Sequence, residues 1–507
     1  MLTPLNKSLC RTITQALIIL AAVFSVTSPS GAQEESRSAG DPTTERIEGV
    51  AKRSAFGVYQ GYSVAKYNGW ERTTQYVAMR DGVRLAVDVM LPSVDGIIAD
   101  APIPTIMILQ RYGRAYIFAN RDGVVTPVEG YPVVRELVKN GYALVSIGIR
   151  GTGASFGTFP GVQSANEARD AYDMVEWITK QPWSNGMVGM MGNSYRANAA
   201  MMAATSPHPA LKAAFPSMID FDNYETSRPG GILLSGPLKS WTYLTGVFDG
   251  RLPSGDDPRF PKVAPVEGED GQTLFEQARA EHASNVDVLA SSIEREYRDD
   301  YEYENVPQED QNVLASLIEP INEGNIAIYF WSGWRDIWPK QPFLWMSNLT
   351  VPRKLTIGPW THDADDRNPE TRSLLKRENE RNRLETIEAL RWFDFWLKGI
   401  ENGIMDESPY QIAVLNDVDN WKWISVDRWP IAPKKRSTAL RLQLDKNGIE
   451  RELSATTRAK VDQEFSFDVD FSATTGPRSR WKDATSFGGF IEPDIDAIAE
   501  TGLAFVS

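Results

Sequence analysis

The stretch Met187–Met202, MVGMMGNSYRANAAMM, constrains the fold of this chain more than any other. Met187-Val188-Gly189-Met190-Met191 reads as a short buried strand. Gly192-Asn193-Ser194-Tyr195-Arg196 then turns the backbone, and Ala197 to Met202 favours helix. A strand, a tight turn with a serine at its apex, and a helix together lift a hydroxyl clear of a sheet edge. They also set it beside the positive end of a helix dipole. The pattern G-x-S-x-G is broken, because Arg196 replaces its second glycine. A serine at a strand-to-helix junction also serves as an ordinary N-cap. The two roles part on whether Ser194 has a base and an orienting acid elsewhere in the chain.

The flanking sequence has the rhythm such a strand needs. Thr73–Met79, the turn Asp81-Gly82, and the alternation Leu85, Val87, Val89, Leu91 predict a β-hairpin. Pro104–Leu109 and Leu144–Ile149 are continuous apolar runs, the signature of strands buried on both faces. Val133–Lys139 reads as helix. Ala168–Ile178 reads as an amphipathic helix with Ala171, Met174, Val175 and Ile178 on one face. Leu211–Phe215 is a further strand. From Asp220 to Gly324 the rhythm stops, leaving Pro-, Gly- and Asp-rich loops and a helical stretch around Leu274–Tyr297, which predicts an inserted cap. It resumes with strands at Ile326–Trp331 and Lys354–Ile357 and a helix at Arg383–Leu397. Strands alternating with helices imply an α/β fold with a parallel sheet covered on both sides. After Pro409 the segments are short and β-like: Gln411–Leu415, Leu440–Leu444 and Leu503–Val506, which predict an all-β second domain. The expected organisation is a leader over 1–32, a loosely ordered lead-in over 33–69, the core over 70–220 and 325–408, the cap over 221–324, and the β domain over 409–507.

Composition narrows the function. With 507 residues, 42% hydrophobic and 24% charged, the chain has material for more than one core. A net charge of −14 argues against a nucleic-acid partner, since phosphate binding needs a basic face. Lys7 and Arg11 precede an apolar run, Ala16–Val26, and Ser30-Gly31-Ala32 supplies small residues behind it. This reads as a secretory signal peptide cut after Ala32, its apolar run too short to span a bilayer comfortably. The expected location is bacterial, periplasmic or secreted, with no stable membrane insertion after cleavage. The single cysteine, Cys10, falls in that leader, so the mature chain has no disulfide, thiol nucleophile or thiolate metal site.

A catalytic Ser194 requires a base, usually histidine. The chain has three. His208 lies in the loop Ser206-Pro207-His208-Pro209, and His282 lies in the cap. Only His362, in Gly358-Pro359-Trp360-Thr361-His362, follows a late core strand, where the order serine, acid, histidine puts the base. Asp336 follows the preceding strand in Trp331-Ser332-Gly333-Trp334-Arg335-Asp336. Asp363, Asp365 and Asp366 compete with it only by proximity. The three candidates, Ser194, Asp336 and His362, fall at the carboxyl ends of core strands, the edge where open α/β sheets keep their chemistry. An oxyanion also needs donors. The backbone N–H of Tyr195 is one candidate. Tyr112, in the loop after an early strand, is either a second donor or a stacked aromatic.

Taken together, the motifs along the chain are Arg80-Asp81-Gly82-Val83-Arg84-Leu85, Arg150-Gly151-Thr152-Gly153-Ala154-Ser155, Gln181-Pro182-Trp183-Ser184-Asn185-Gly186, Ser194-Tyr195, Gly333-Trp334-Arg335-Asp336 and Gly358-Pro359-Trp360-Thr361-His362. The set resembles the cocaine esterase and Xaa-Pro dipeptidyl-peptidase-like (CocE/NonD) hydrolases, a family that also includes α-amino acid ester hydrolases and glutaryl-cephalosporin acylases. The resemblance runs from about residue 70 to the end of the chain. It implies an α/β-hydrolase core, a helical cap and a C-terminal jelly-roll domain. It further implies Ser194 as nucleophile, His362 as base, Asp336 as orienting acid and the Tyr112 hydroxyl as an oxyanion donor.

The chain departs from the family pattern in three places. Arg196 stands where a small residue is usual, so its side chain is expected to point outward. Gly148 stands where aspartate is common, which removes an ion pair with Arg150. The chain stops at Ser507, so the jelly roll is expected to be truncated. The expected activity is a serine hydrolase cleaving small carboxylic esters or activated amides through an acyl-enzyme, without metal or cofactor. A peptidase or acylase is the alternative, and it needs a carboxylate for a substrate amine, with Asp220 or Asp222 as candidates. A non-catalytic binding protein that keeps the fold is the rival from another class. A homo-oligomer is compatible with all three.

Overall fold

The computed structural model describes residues 54–59, 65–100, 102–118, 122–253, 261–297, 300, 314–362, 372–416 and 420–431. The expected leader, Leu440–Leu444 and Leu503–Val506 lie outside the described residues, as does all of the expected β domain beyond residue 431.

A mixed sheet of eleven strands carries the fold. Its main path comprises β1 (Gly69–Ala78), β2 (Arg84–Val94), β3 (Ile103–Gln110), β4 (Ala143–Gly148), β5 (Ser184–Asn193), β6 (Leu211–Ser217), β7 (Ala327–Arg335), β8 (Arg353–Thr361), β9 (Tyr410–Leu415) and β10 (Trp421–Val426). Across the sheet they lie in the order β1-β2-β4-β3-β5-β6-β7-β8-β9-β10, and the two-residue strand Ile97–Ile98 turns back to pair antiparallel with the end of β2. The hairpin β1–β2 is antiparallel with Ala78 opposite Arg84, and β2 joins β4 antiparallel. Neighbours from β4 across to β9 are parallel, and β10 closes the edge antiparallel to β9.

Alternation along the strands splits the core into two apolar layers. In β7, Ile328 and Phe330 pack in one layer, while Ala327, Tyr329 and Trp331 pack in the other. The first layer is covered by α2 (Ala165–Thr179), through the predicted face Ala171, Met174, Val175 and Ile178, and by α3 (Tyr195–Thr205). The second is covered by α1 (Pro132–Lys139), and by Leu390, Trp392, Phe393 and Leu397 of α7 (Arg372–Lys398). Helix α7 lies so close to β5 that a Cβ on Gly189 would come within 2.6 Å of Phe393 and 2.9 Å of Leu397. The cap contributes α4 (Ser235–Phe248) and α5 (Gly271–Glu281), and α6 (Gln341–Asn348) follows β7. The cap strand Lys262–Val263 pairs with Tyr116–Ile117, just past β3.

Several expectations change. Tyr410–Leu415, assigned to a separate β domain, is instead the next strand of the central sheet, parallel to β8, with Leu355 opposite Tyr410. Its residues Tyr410–Ala413 are all buried. A short strand buried on both faces carries no mark of which sheet it joins. Part of the lead-in is packed rather than loose: Ser54 Oγ donates to Asn402 O (2.6 Å), Gly57 N to Glu388 (2.9 Å) and Tyr59 Oη to Asp394 (2.7 Å). The helical stretch in the cap is α5, a single 3-10 turn His282–Ser284 and a short helix Val288–Glu294. Arg150 does not lack ion pairs. Its Nε and Nη2 clasp Asp170 (2.8 and 2.7 Å), and its Nη1 holds Asp81 (2.6 Å). Gly148 has its own reason: a Cβ there would lie 2.6 Å from Ser155 Oγ, which donates to the Gly148 carbonyl.

Candidate active site

The site is built where β5, β7 and β8 end. Ser194 follows β5 with φ +60° and ψ −126°, a backbone region costly for a residue with a Cβ, by about 1–3 kcal/mol. Neighbouring bonds hold it there. Ser194 N donates to Ser217 O at the end of β6 (3.0 Å), and Ser194 O accepts from Ala197 N (2.8 Å) and Asn198 N (3.1 Å). Gly192 admits the turn, since a Cβ there would meet Arg196 Cβ and lie 2.7 Å from the Arg196 carbonyl carbon. The serine side chain makes no capping bond to α3.

Instead, Ser194 Oγ lies 2.9 Å from His362 Nε2. His362, one residue past β8, is 6% exposed, and its Nδ1 lies 2.6 Å from Asp336 Oδ1. Asp336, one residue past β7, is fully buried and also accepts from Ile337 N (2.7 Å). An ionised carboxylate only accepts, so Nδ1 carries the proton. In the neutral ring, Nε2 is then the acceptor facing the serine hydroxyl. The edge-on indole of Trp338, 5.0 Å between centroids and at 90°, walls the imidazole.

The other two histidines hold structure. His208 sits between Glu176 (2.9 Å from Nε2) and Ala210 N, which donates to Nδ1 (3.0 Å). His282 is buried between the carbonyls of Asp249 (2.9 Å) and Ser155 (2.7 Å), joining cap to core. Asp363, Asp365 and Asp366 lie outside the described residues.

Tyr195 is the first residue of α3, where backbone N–H groups point out of the helix rather than into it. Its hydroxyl donates to Glu167 Oε1 of α2 at 2.6 Å. Burial pushes the Glu167 carboxyl up to about 7, against the pull of that hydrogen bond. Tyr112 lies just past β3, nearly buried, and its hydroxyl accepts from Trp241 Nε1 of α4 at 3.0 Å. The Trp241 ring is stacked on Tyr195, with centroids 6.1 Å apart and planes at 17°. Glu167 and Trp241 are site components that the sequence did not single out.

Arg196 does not point outward. Its guanidinium crosses the end of β3, bonding Gln110 Oε1 (3.5 Å) and the Tyr131 hydroxyl, and lies 4.8 Å from the Tyr131 ring centroid. Asp220 and Asp222 are engaged within the protein. Asp222 caps the helix Asn223–Ser227 through Tyr224 N (3.0 Å) and Glu225 N (3.3 Å). Asp220 accepts from Gln163 Nε2 (3.2 Å) and Thr226 Oγ1 (2.8 Å), and burial pushes its carboxyl up to about 6.

Known proteins resemble this chain in sequence and in fold. The family model for X-Pro dipeptidyl-peptidase (S15 family) matches residues 81–364. A Mycobacterium bovis protein with a provisional serine-esterase name is 30% identical over 478 residues, covering 87% of this chain and 73% of that protein. The cocaine esterase of a Rhodococcus species is 37% identical over 185 residues, 36% of this chain and 29% of the esterase. The crystal structure of a CocE/NonD family hydrolase from Staphylococcus aureus superposes with a TM-score of 0.51 at 20% identity. That match covers 71% of this chain and 57% of the other. By the family model over 81–364 and the 30% identical relative, the chain belongs to the X-Pro dipeptidyl-peptidase (S15) family of serine hydrolases.

Proposed function

We propose that the chain is an esterase that works through a covalent acyl-enzyme on Ser194. The observation that carries this reading is the relay Ser194 Oγ–His362 Nε2 (2.9 Å) and His362 Nδ1–Asp336 (2.6 Å). Ser194 Oγ attacks the ester carbonyl as His362 Nε2 takes its proton, and buried Asp336 stabilises the imidazolium that forms. The carbonyl oxygen becomes an oxyanion, which accepts from the Tyr195 N–H and the Tyr112 hydroxyl. Collapse of the tetrahedral intermediate expels the alcohol, which takes the proton from His362. Water, deprotonated by the same ring, then releases the acid and restores Ser194. The ester reading is favoured over a peptidase because Asp220 and Asp222, the carboxylates suggested for a substrate amine, are engaged by internal donors. In this reading the leader exports the protein and residues 432–507 contribute to a jelly-roll domain. A mature N-terminus at Gln33 and a two-sheet sandwich in a crystal structure are the expected results.

The test combines labelling with turnover. A fluorophosphonate should modify the folded protein, and Ser194→Ala should abolish the label. In a panel of p-nitrophenyl esters beside aminoacyl-Pro anilides, the esters should turn over. Turnover of the anilides alone rejects the esterase, and a folded but unlabelled protein points to the binding-protein rival.

A further inference from the structure

We infer that Trp241, on cap helix α4, is a positioning residue for the oxyanion hole: its indole N–H orients the Tyr112 hydroxyl, and its ring braces Tyr195. The inference rests on the esterase reading above. An indole N–H only donates. The 3.0 Å bond from Trp241 Nε1 therefore occupies a lone pair of the Tyr112 oxygen and turns the phenolic proton away from Trp241. That is the state in which Tyr112 can donate to a developing oxyanion. The same indole lies flat on the Tyr195 ring, whose hydroxyl is fixed on the other side by Glu167. One cap side chain thus touches both residues assigned to the oxyanion.

The cap helix is fastened beside this contact. Asp249, the residue that ends α4, takes a bidentate ion pair from buried Arg111, at 2.9 and 3.1 Å. Arg111 precedes Tyr112 in the chain, and its guanidinium lies 4.2 Å from the Phe159 ring and 5.6 Å from the Trp241 ring. Asn285, farther along the cap, donates to Asp249 (3.1 Å) and to Gly151 O (2.8 Å) and accepts from Phe159 N (2.7 Å). The loop after β3 and helix α4 are therefore pinned to each other where Trp241 meets Tyr112. The cap does more than roof the site, because the donor geometry of Tyr112 depends on where α4 sits.

The test is a double-mutant cycle on p-nitrophenyl acetate. Trp241→Phe keeps an aromatic face for Tyr195 and deletes the N–H. Its kcat should fall about 5- to 20-fold, the loss of roughly one neutral hydrogen bond, with KM changed by less than about twofold. Tyr112→Phe alone should lower kcat by about 10²- to 10³-fold. In the double variant, Trp241→Phe should add less than about twofold, because its effect passes through the missing hydroxyl. Additive losses overturn the inference, and so does a KM that rises at constant kcat, which would make Trp241 only a wall of the substrate site. Should Trp241→Phe misfold, benzothienylalanine at position 241 keeps the indole shape without the N–H and must give the same kcat loss. Active-site titration with fluorophosphonate normalises every rate to competent enzyme. Labelled wild-type protein with additive losses rejects only the role of Trp241. An unlabelled wild type rejects the esterase reading, and this inference with it.

Discussion

Glu167 sets the pH behaviour of the elbow. Its carboxyl is buried under Tyr195 and pushed up to about 7, whereas an unfolded glutamate titrates near 4.3. Between those values the folded protein keeps a proton that the unfolded chain has lost. The contribution to stability is therefore full below about pH 4.3 and is lost progressively as the pH rises to about 7. The full span is at most about 4 kcal/mol. Glu167→Gln keeps an acceptor for the Tyr195 hydroxyl and cannot ionise. Relative to wild type it should gain roughly 1–3 kcal/mol in stability on going from pH 5 to pH 8, read by urea melts at both values. An unchanged difference between the two pH values would refute the argument. At this scale the sequence was informative where chemistry follows a strand end. Ser194, Asp336 and His362 each stand just past an apolar run, and all three meet. Glu167 and Trp241 were invisible for opposite reasons. Glu167 looks like any acidic residue in a first helical turn, and Trp241 sits in an insertion whose packing has no period to read. Arg196 was misjudged because its aromatic partner, Tyr131, reaches it only through the fold.

The elbow is an element whose geometry decides both stability and activity. A Cβ on Gly192 would meet Arg196 Cβ and the backbone of α3, neither of which is a flexible side-chain tip. Gly192→Ala should therefore displace the start of α3, costing about 1–3 kcal/mol or more in stability. Displacing α3 moves Ser194 against His362, and a misplacement near 1 Å is worth about 10²-fold in rate. Thermal melts and p-nitrophenyl ester turnover should record both losses. A folded Gly192→Ala variant with wild-type turnover would mean that α3 tolerates the shift. The strands from β3 to β8 were legible because buried parallel strands are short, apolar and bounded by turns. Most of their ends still run one to several residues past the predicted limits, while β4 stops one residue short at Gly148 and β7 starts one residue late at Ala327. In β8, Thr361 stays in the ladder opposite Arg335 across a bulge, which no propensity announces. β9 failed for a deeper reason: strand character is local, but the choice of partner is a long-range pairing of Leu355 with Tyr410.

At the scale of the molecule, the face opposite the α2–α3 layer is closed by a segment from near the start of the chain. Ser54–Tyr59 lies against α7 and the turn beyond it, and its polar groups add donors to carboxylates buried there. Tyr59 and Tyr142 both donate to Asp394, at 2.7 and 2.6 Å, and Gly57 N reaches Glu388, which is itself clasped by Arg391 at 2.8 and 2.9 Å. Composition alone marked this region as polar and therefore loose. Its order comes from α7, which is far away in sequence, so no local pattern reveals it. Tyr59→Phe deletes one hydrogen bond to a buried carboxylate while keeping the ring. A bond to a charged group is worth about 1.5–3 kcal/mol, and Asp394 keeps Tyr142 and Lys398 as partners, so the loss should fall near the lower figure. The segment packs against α7 rather than against Ser194 or His362, so kcat/KM per labelled molecule should stay within about twofold of wild type. Chemical denaturation and fluorophosphonate-normalised turnover measure the two quantities separately. A large fall in turnover with unchanged stability would show that this segment is coupled to the active-site edge and does not act only as a clamp on α7.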